Sequence, residues 1–351
     1  MSINATGEIS NPFPGLPESV FQAICSAIFT EFATMSAKGV PIDTPTYAFI
    51  GADRRSVDLT TGLAYPAKAE RARRNPKVGL LLEGAADAPV VSIAAHASVH
   101  DSDLQANALR YIAEIAAYLE AQSYGLPWST MREAVFYWTR MFLRCTPVRI
   151  MWWPNAASMN EAPTVWTAPV DTPLPASDPA PKSEPSAAPS WGIRDWRELA
   201  QEKLNMGLAG HLTVADEEGY PLPIRARSVT LVDDGFLLDI PAGAPWRPEG
   251  SASLCFMGMA TFVGEVRPSG DKVSFIVERV LPVLPSVEDP KEVFLPAPAT
   301  RAAMIARLEK ELARRGQPLP VIPDELLEPT VGSHIRAVQM KRIVEEMAMR
   351  D

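Results

Sequence analysis

The chain has 351 residues, 47% hydrophobic and 21% charged, which suits a globular protein of roughly two domains with separate cores. Thirty-three basic side chains against 42 acidic ones give a formal net charge of -9. That argues against a sequence-independent nucleic-acid binder, which needs Lys and Arg to displace counterions from phosphates, and leaves room for a local basic pocket. No stretch approaches the ~18 continuous apolar residues of a membrane span, and the N-terminus has no basic run leading into an apolar one. The three cysteines, Cys25, Cys145 and Cys255, are too scattered for a disulfide framework or a zinc knuckle. The expectations are a reducing cytoplasm, no membrane or nucleic-acid partner and no metal site.

In chain order, an amphipathic helix is predicted over residues 17–36, with Ile24, Ile28, Phe32 and Met35 on one face. Residues 32–36 also read as a strand entering the turn Ala37-Lys38-Gly39. Strands follow over 57–61, 77–82 and 90–99. A long helix over 102–122 carries Leu104, Ala108, Ile112, Ile115 and Leu119 on one face and is capped by Asp101 or Ser102. A helix-like run over 129–143 leads into a last strand, 148–153. Thirty-four prolines are about twice the usual share, and many fall in 154–190. That segment lacks apolar periodicity and predicts a semi-extended linker. Beyond it come a helix over 191–207, strands over 211–215, 252–257, 260–266 and 273–280, a hairpin turn at Asp233-Asp234-Gly235, and helices over 298–315 and 333–349.

The halves resemble each other. Thr34 to Ile42 aligns with Thr213 to Leu222, with one extra turn residue: a strand, a polar turn through Gly, then aliphatic, Pro, aliphatic. A helix precedes each copy, which favours duplication over a chance likeness of two hairpins.

The most informative stretch is 59–82, LTTGLAYPAKAERARRNPKVGLLL. A strand delivers Thr60 and Thr61 to a glycine. Lys68 opens a short helix carrying Arg71, Arg73 and Arg74, and Asn75-Pro76 stops it. Hydroxyls, a lysine and a helix N-terminus make an anion cradle; a solvated basic helix is the alternative. These residues, with the hairpin at 34–41 and RRNPKVGLLLEG, resemble the FMN-binding split-barrel proteins, the pyridoxamine 5′-phosphate oxidase-like family, over roughly residues 29–153. Val90 to Asp101 is similar to the family's next strand.

The resemblance implies a mainly β protein with α decorations: two tandem six-stranded antiparallel split β-barrels, the second diverged. The implied divisions are an FMN-binding barrel (1–153), a linker (154–190), a second barrel (191–297) and a helical extension (298–351). FMN would lie where two barrels meet, in a pseudo-dimer within one chain that leaves a true homodimer open. Lys68, Thr60 and Thr61, with Arg71 beside them, would meet the phosphate, and Tyr47 would lie near the isoalloxazine. The second copy has IPAGAPWRPEGSASLCF where the first has its Lys68 helix, so one intact site is expected, with Arg225 and Arg227 reaching across or merely exposed on their strand. The implied activity is an FMN-dependent oxidoreductase acting on a small organic substrate. The competing class is a non-catalytic protein binding or sequestering flavin or haem.

Among the remaining residues, no general acid or base stands out, with Arg225, Arg227 or His211 as substrate-side candidates. His96 and His100 fall four residues apart on one strand face, roughly 13 Å, too far to chelate one ion. Cys25, Tyr137-Trp138 and Trp152-Trp153 read as core, the aromatic pairs alternatively as the lining of a flat-ring pocket. No phosphate loop, dinucleotide fingerprint or nucleophile elbow occurs.

Overall fold

Alternating and β-branched segments build the first half, β1 (Phe29–Met35), β2 (Pro41–Asp43), β3 (Thr46–Ile50), β4 (Val57–Gly62), β5 (Lys77–Leu82), β6 (Val90–His100) and β7 (Arg140–Trp153), in a computed structural model that describes residues 10–85, 87–186, 194–282 and 289–348. β1 pairs antiparallel with β3 on one side and β5 on the other. The ladder runs on through β3–β4, β4–β7, β7–β6 and β6–β5. The circle therefore closes, as a six-stranded antiparallel barrel, with β2 extending the β3 arm along β1. Side chains alternate. Leu59 and Leu143 face each other in the core; Asp58 and Arg144 form the next pair, on the outer face.

The second half repeats this connectivity. β8 (Thr164–Thr167) first adds to the edge of β7. Then β9 (Gly210–Ala215) pairs with β10 (Pro221–Arg225) and β13 (Gly250–Phe256). β14 (Ala260–Ser269) and β15 (Lys272–Val280) continue the sheet to β12 (Gly235–Asp239) and β11 (Ser228–Val232). β10 and β11 are the arms of one bent strand, as β2 and β3 are. The partners match strand for strand except that the closing β1–β3 pair has no β9–β11 counterpart among the described residues, so the second sheet curls into a half-barrel. The hairpins agree bond for bond. Ser36 N–H donates to Val40 O (2.9 Å) and Asp216 N–H to Tyr220 O (2.9 Å), with Gly39 and Gly219 at φ 74° and 84°. The turns are equal in length, so Thr34 corresponds to Val214, not Thr213, and the extra turn residue disappears.

The outer face of the first barrel packs on the second. Leu81, Val90 and Ala94 share a core with Leu212, Leu222 and Leu254. At Gly79 the backbones approach so closely that a Cβ would lie 1.7 Å from Pro221 O.

Helical expectations need correction. The first helix, α1 (Glu18–Ser26), stops ten residues early because Phe29–Met35 enters the barrel; the even spacing of Ile28 and Phe32 also fits one strand face. After α2 (Ala67–Arg74), α3 (Leu104–Ile115) is capped by Asp103, which accepts from Ala106 N–H (2.8 Å), rather than by Asp101 or Ser102. It continues through a 3-10 turn into α4 (Leu119–Gln122). The run 129–143 is not a helix: α5 (Trp128–Met131) and α6 (Val135–Trp138) are single turns, and β7 begins at Arg140. α7 (Trp196–Asn205) is shorter than expected, residues 191–193 lying outside the described residues.

Residues 154–186 run extended apart from β8 and one 3-10 turn, and they dock on the first barrel. Asp178 accepts from the Asp101 and Ser102 amides (2.8 Å each). Residues 187–190, the end of the expected linker, lie outside the described residues. α8 (Pro298–Arg315) and α9 (Val331–Ala348) also return to the first barrel; Met349 lies outside the described residues. Leu308 and Leu312 join its core, and Phe294 stacks on Trp138. On α9, fully buried Arg336 pairs with Glu114 and covers the Phe49 ring at 4.7 Å. Among the described residues no helix is long and apolar enough to cross a membrane.

Candidate functional site at the barrel junction

α2 is held to the barrel by buried Ala69 and Ala72, and Asn75-Pro76 ends it, Asn75 N–H closing on Arg71 O. Its polar residues divide between two directions. Arg73 reaches Asp101 (2.8 Å) and Glu70 reaches Arg314 on α8 (2.7 Å). Lys68 and Arg71 turn instead toward β1, β2 and the second barrel. Lys68 Nζ donates to Pro45 O (2.9 Å). Burial and the neighbouring Arg71 push its ammonium down to about 8, against the pull of Asp43, Cys255 and Glu31. Arg71 Nε donates to Thr34 Oγ1 (2.6 Å), and burial with Arg74 nearby brings it down to about 10. Among the described residues no carboxylate forms an ion pair with Arg71.

The structure thus brings together two of the residues expected around a phosphate. The hydroxyls point elsewhere. Thr60 and Thr61 stand on opposite faces of β4. Thr61 donates to Tyr65 O (3.3 Å), and Thr60 Oγ1 is buried without a hydrogen-bond partner. Tyr47 packs against half-exposed Phe29, ring centroids 4.6 Å apart, and against Tyr111. Burial, then Tyr137, raises its hydroxyl well above the ordinary tyrosine range.

Arg225 is exposed at the end of β10, opposite His211 in the ladder. Arg227, in the bend after it, is captured by Asp239 and Asn160 instead of reaching across the junction. Its own N–H bonds to Asp239 O, which puts that carboxylate within reach. Where the second barrel would need an equivalent of α2, residues 240–249 form no helix; Trp246 is buried there and donates to Leu222 O (2.7 Å). Tyr137 is half-buried, and Trp138, Trp153 and Cys25 are buried in the core.

Sequence reasoning named His211 as a substrate-side candidate but missed the polar cluster around it that faces Lys68. Glu31 and Asp43 lie on the outer face of β1 and β2, and His211 and Cys255 oppose each other on β9 and β13. His211 Nε2 meets Glu83 (2.8 Å) and its Nδ1 lies 3.3 Å from Glu31. Asp43 accepts from Thr213 (3.3 Å), and Ser253 Oγ accepts from Asp43 N–H (3.2 Å). Burial raises the carboxyls of Glu31 and Asp43 and the thiol of Cys255. No sequence spacing signals this group, because its members come from four strands of two barrels.

With this geometry, the chain is a tandem split-barrel protein, similar in fold to pyridoxamine 5′-phosphate oxidase-related proteins. No protein-family model and no curated protein matches it. Among solved structures, it is similar to a pyridoxamine 5′-phosphate oxidase-related, FMN binding protein from Nostoc punctiforme. Identity there is 14% and the TM-score 0.30, over 46% of this chain and all of the other (100%). It is similar to General Stress Protein 26 from Bacillus anthracis (13% identity, TM-score 0.28, 43% and 97% covered). It is also similar to HutZ, the heme storage protein from Vibrio cholerae (16% identity, TM-score 0.27, 38% and 89% covered).

Proposed function

We propose that the protein is a flavoprotein that binds FMN by its phosphate beside α2, with Lys68 and Arg71 as phosphate-binding residues, and that it acts as an oxidoreductase on a small organic substrate. One observation carries this reading. Half-buried Arg71 stands next to Lys68, its Nε fixed by Thr34, with no carboxylate ion pair among the described residues. A desolvated cation without counter-charge is costly. A phosphate offsets that charge and suits a guanidinium fork.

FMN, when bound, supplies hydride or electron transfer. The chain supplies position and charge. Lys68 and Arg71 would hold the phosphate, with Thr34 fixing the guanidinium through its Nε. Tyr47 and Phe29 offer an aromatic surface for the ring system. Residues 240–249 of the second barrel form no corresponding helix, in keeping with one such site per chain.

The test is an absorption spectrum of the isolated chain, with retention compared across variants. Flavin bands and FMN released on denaturation are expected. Lys68→Ala and Arg71→Ala should each lose FMN far more readily than Lys272→Ala, a change on β15. Equal retention in all three, or no uptake of added FMN, removes the reading, and a haem band moves the protein to the binding class. Reduction of bound flavin by a nicotinamide donor separates an enzyme from a store.

A further inference from the structure

Glu31, Asp43, His211 and Cys255 are 8%, 0%, 4% and 0% exposed. Ligating atoms of Glu31, Asp43 and Cys255 all lie within 4.8 Å of one another. A zinc-type ion bonded at about 2.0–2.3 Å to each donor spans less than that ceiling, so a small side-chain rotation would close the three donors on it. Three atoms of the group, Glu31 Oε2, Asp43 Oδ1 and His211 Nδ1, are buried without a hydrogen-bond partner. Orphaned acceptors converging in a dry site are expensive, and a shared proton or a cation relieves them.

Three details favour a cation. First, His211 Nε2 bonds to the Glu83 carboxylate (2.8 Å). With that nitrogen anchored, Nδ1 stands 3.3 Å from Glu31 Oε1 and positions that carboxylate, leaving Oε2 for the cluster. Second, Cys255 Sγ accepts from Gly258 N–H (3.3 Å), a donor that stabilises a thiolate, while the Thr261 hydroxyl is shared between Asp43 O (3.2 Å) and the sulfur (3.5 Å). Third, Asp43 is held by Thr213 through Oδ2 (3.3 Å), leaving Oδ1 for the cluster. Two carboxylates and one thiolate fall within the ligand preferences of a divalent zinc-type ion.

We propose that Glu31, Asp43 and Cys255 form a binding site for a divalent zinc-type ion that bridges the two barrels, with His211 positioning Glu31. The site is independent of the flavin reading, which assigns none of these four side chains. The first barrel contributes two ligands and the second contributes one, so the ion would clamp the junction, and Glu83 is a positioning residue that acts through His211.

The full chain, stripped with a chelator and then loaded with Zn²⁺ or Co²⁺, tests this. The wild type should retain a single zinc ion after washing, and the cobalt form should show a thiolate-to-cobalt charge-transfer band. Cys25→Ser, a change in α1, should keep the band and Cys255→Ser should lose it. Glu83→Gln should weaken Zn²⁺ binding by about 10–100-fold. Should Cys255→Ser fail to fold, the wild-type and Glu83→Gln measurements still decide. A wild type that takes up neither metal overturns the site, the acid pair then sharing a proton. So does a band that survives in Cys255→Ser, or an affinity unmoved in Glu83→Gln.

Discussion

Arg336 shows how much one side chain contributes when it is sealed. Its guanidinium is fully buried, pairs with Glu114 and lies over Phe49, while Nε and Nη1 have no partner. Such a pair adds little net stability, but removing one member strands the other charge. Arg336→Ala should therefore lower unfolding free energy by about 3–5 kcal/mol, read from denaturant titration; an unchanged midpoint would show that Glu114 is relieved by other means. At this scale the candidate site was half legible. Lys68 and Arg71 stand out in the sequence because Asn75-Pro76 fixes where their helix ends. Thr60 looked equivalent to Thr61, but strand alternation sends their hydroxyls to opposite faces. Arg227 reads as a strand residue in the sequence but lies in the bend between β10 and β11, and its capture by Asp239 depends on cross-strand register.

Among the elements, α8 has the clearest electrostatic attachment. Buried Glu311 bonds to Arg314, Arg315 and the Ser186 amide, and Arg314 reaches Glu70 on α2. Burial alone would raise the Glu311 carboxyl, but the hydrogen bonds from Ser186 and the two arginines outweigh it and hold it below 4.5. A depressed folded pKa means stabilisation that is fully present above the unfolded value and lost as pH falls through the folded one. The stability advantage of wild type over Glu311→Gln should thus be largest near neutrality and shrink as pH falls below 4.5. A pH-independent difference would assign the contribution to packing. α8 was legible to the residue, with Pro298 in its first turn and Gly316 at φ 62° just past its end. The run 129–143 misled because its apolar residues suit two short turns followed by a strand as well as one helix.

For the whole molecule, the two barrels depend on a close face-to-face fit. Gly79→Val would drive a side chain into Pro221 O. Overpacking of this kind costs about 1–3 kcal/mol, so the variant should unfold in separated steps where the wild type unfolds more cooperatively. Coincident fluorescence and circular-dichroism transitions in the variant would count against the fit as a source of coupling. The repeat itself was legible in two short hairpins. Their true register was not, because similar residues one position apart aligned as well as those that share hydrogen bonds.

The order of assembly follows from where the last helices go. During synthesis the first barrel leaves the ribosome long before residues 298–348, yet Trp138 and its neighbours are covered by Phe294, and α8 adds Leu308 and Leu312 to the same core. A nascent chain must therefore carry an uncovered aromatic surface until residues 294–312 emerge. C-terminal truncation should leave a sticky, chaperone-dependent intermediate rather than a smaller native protein.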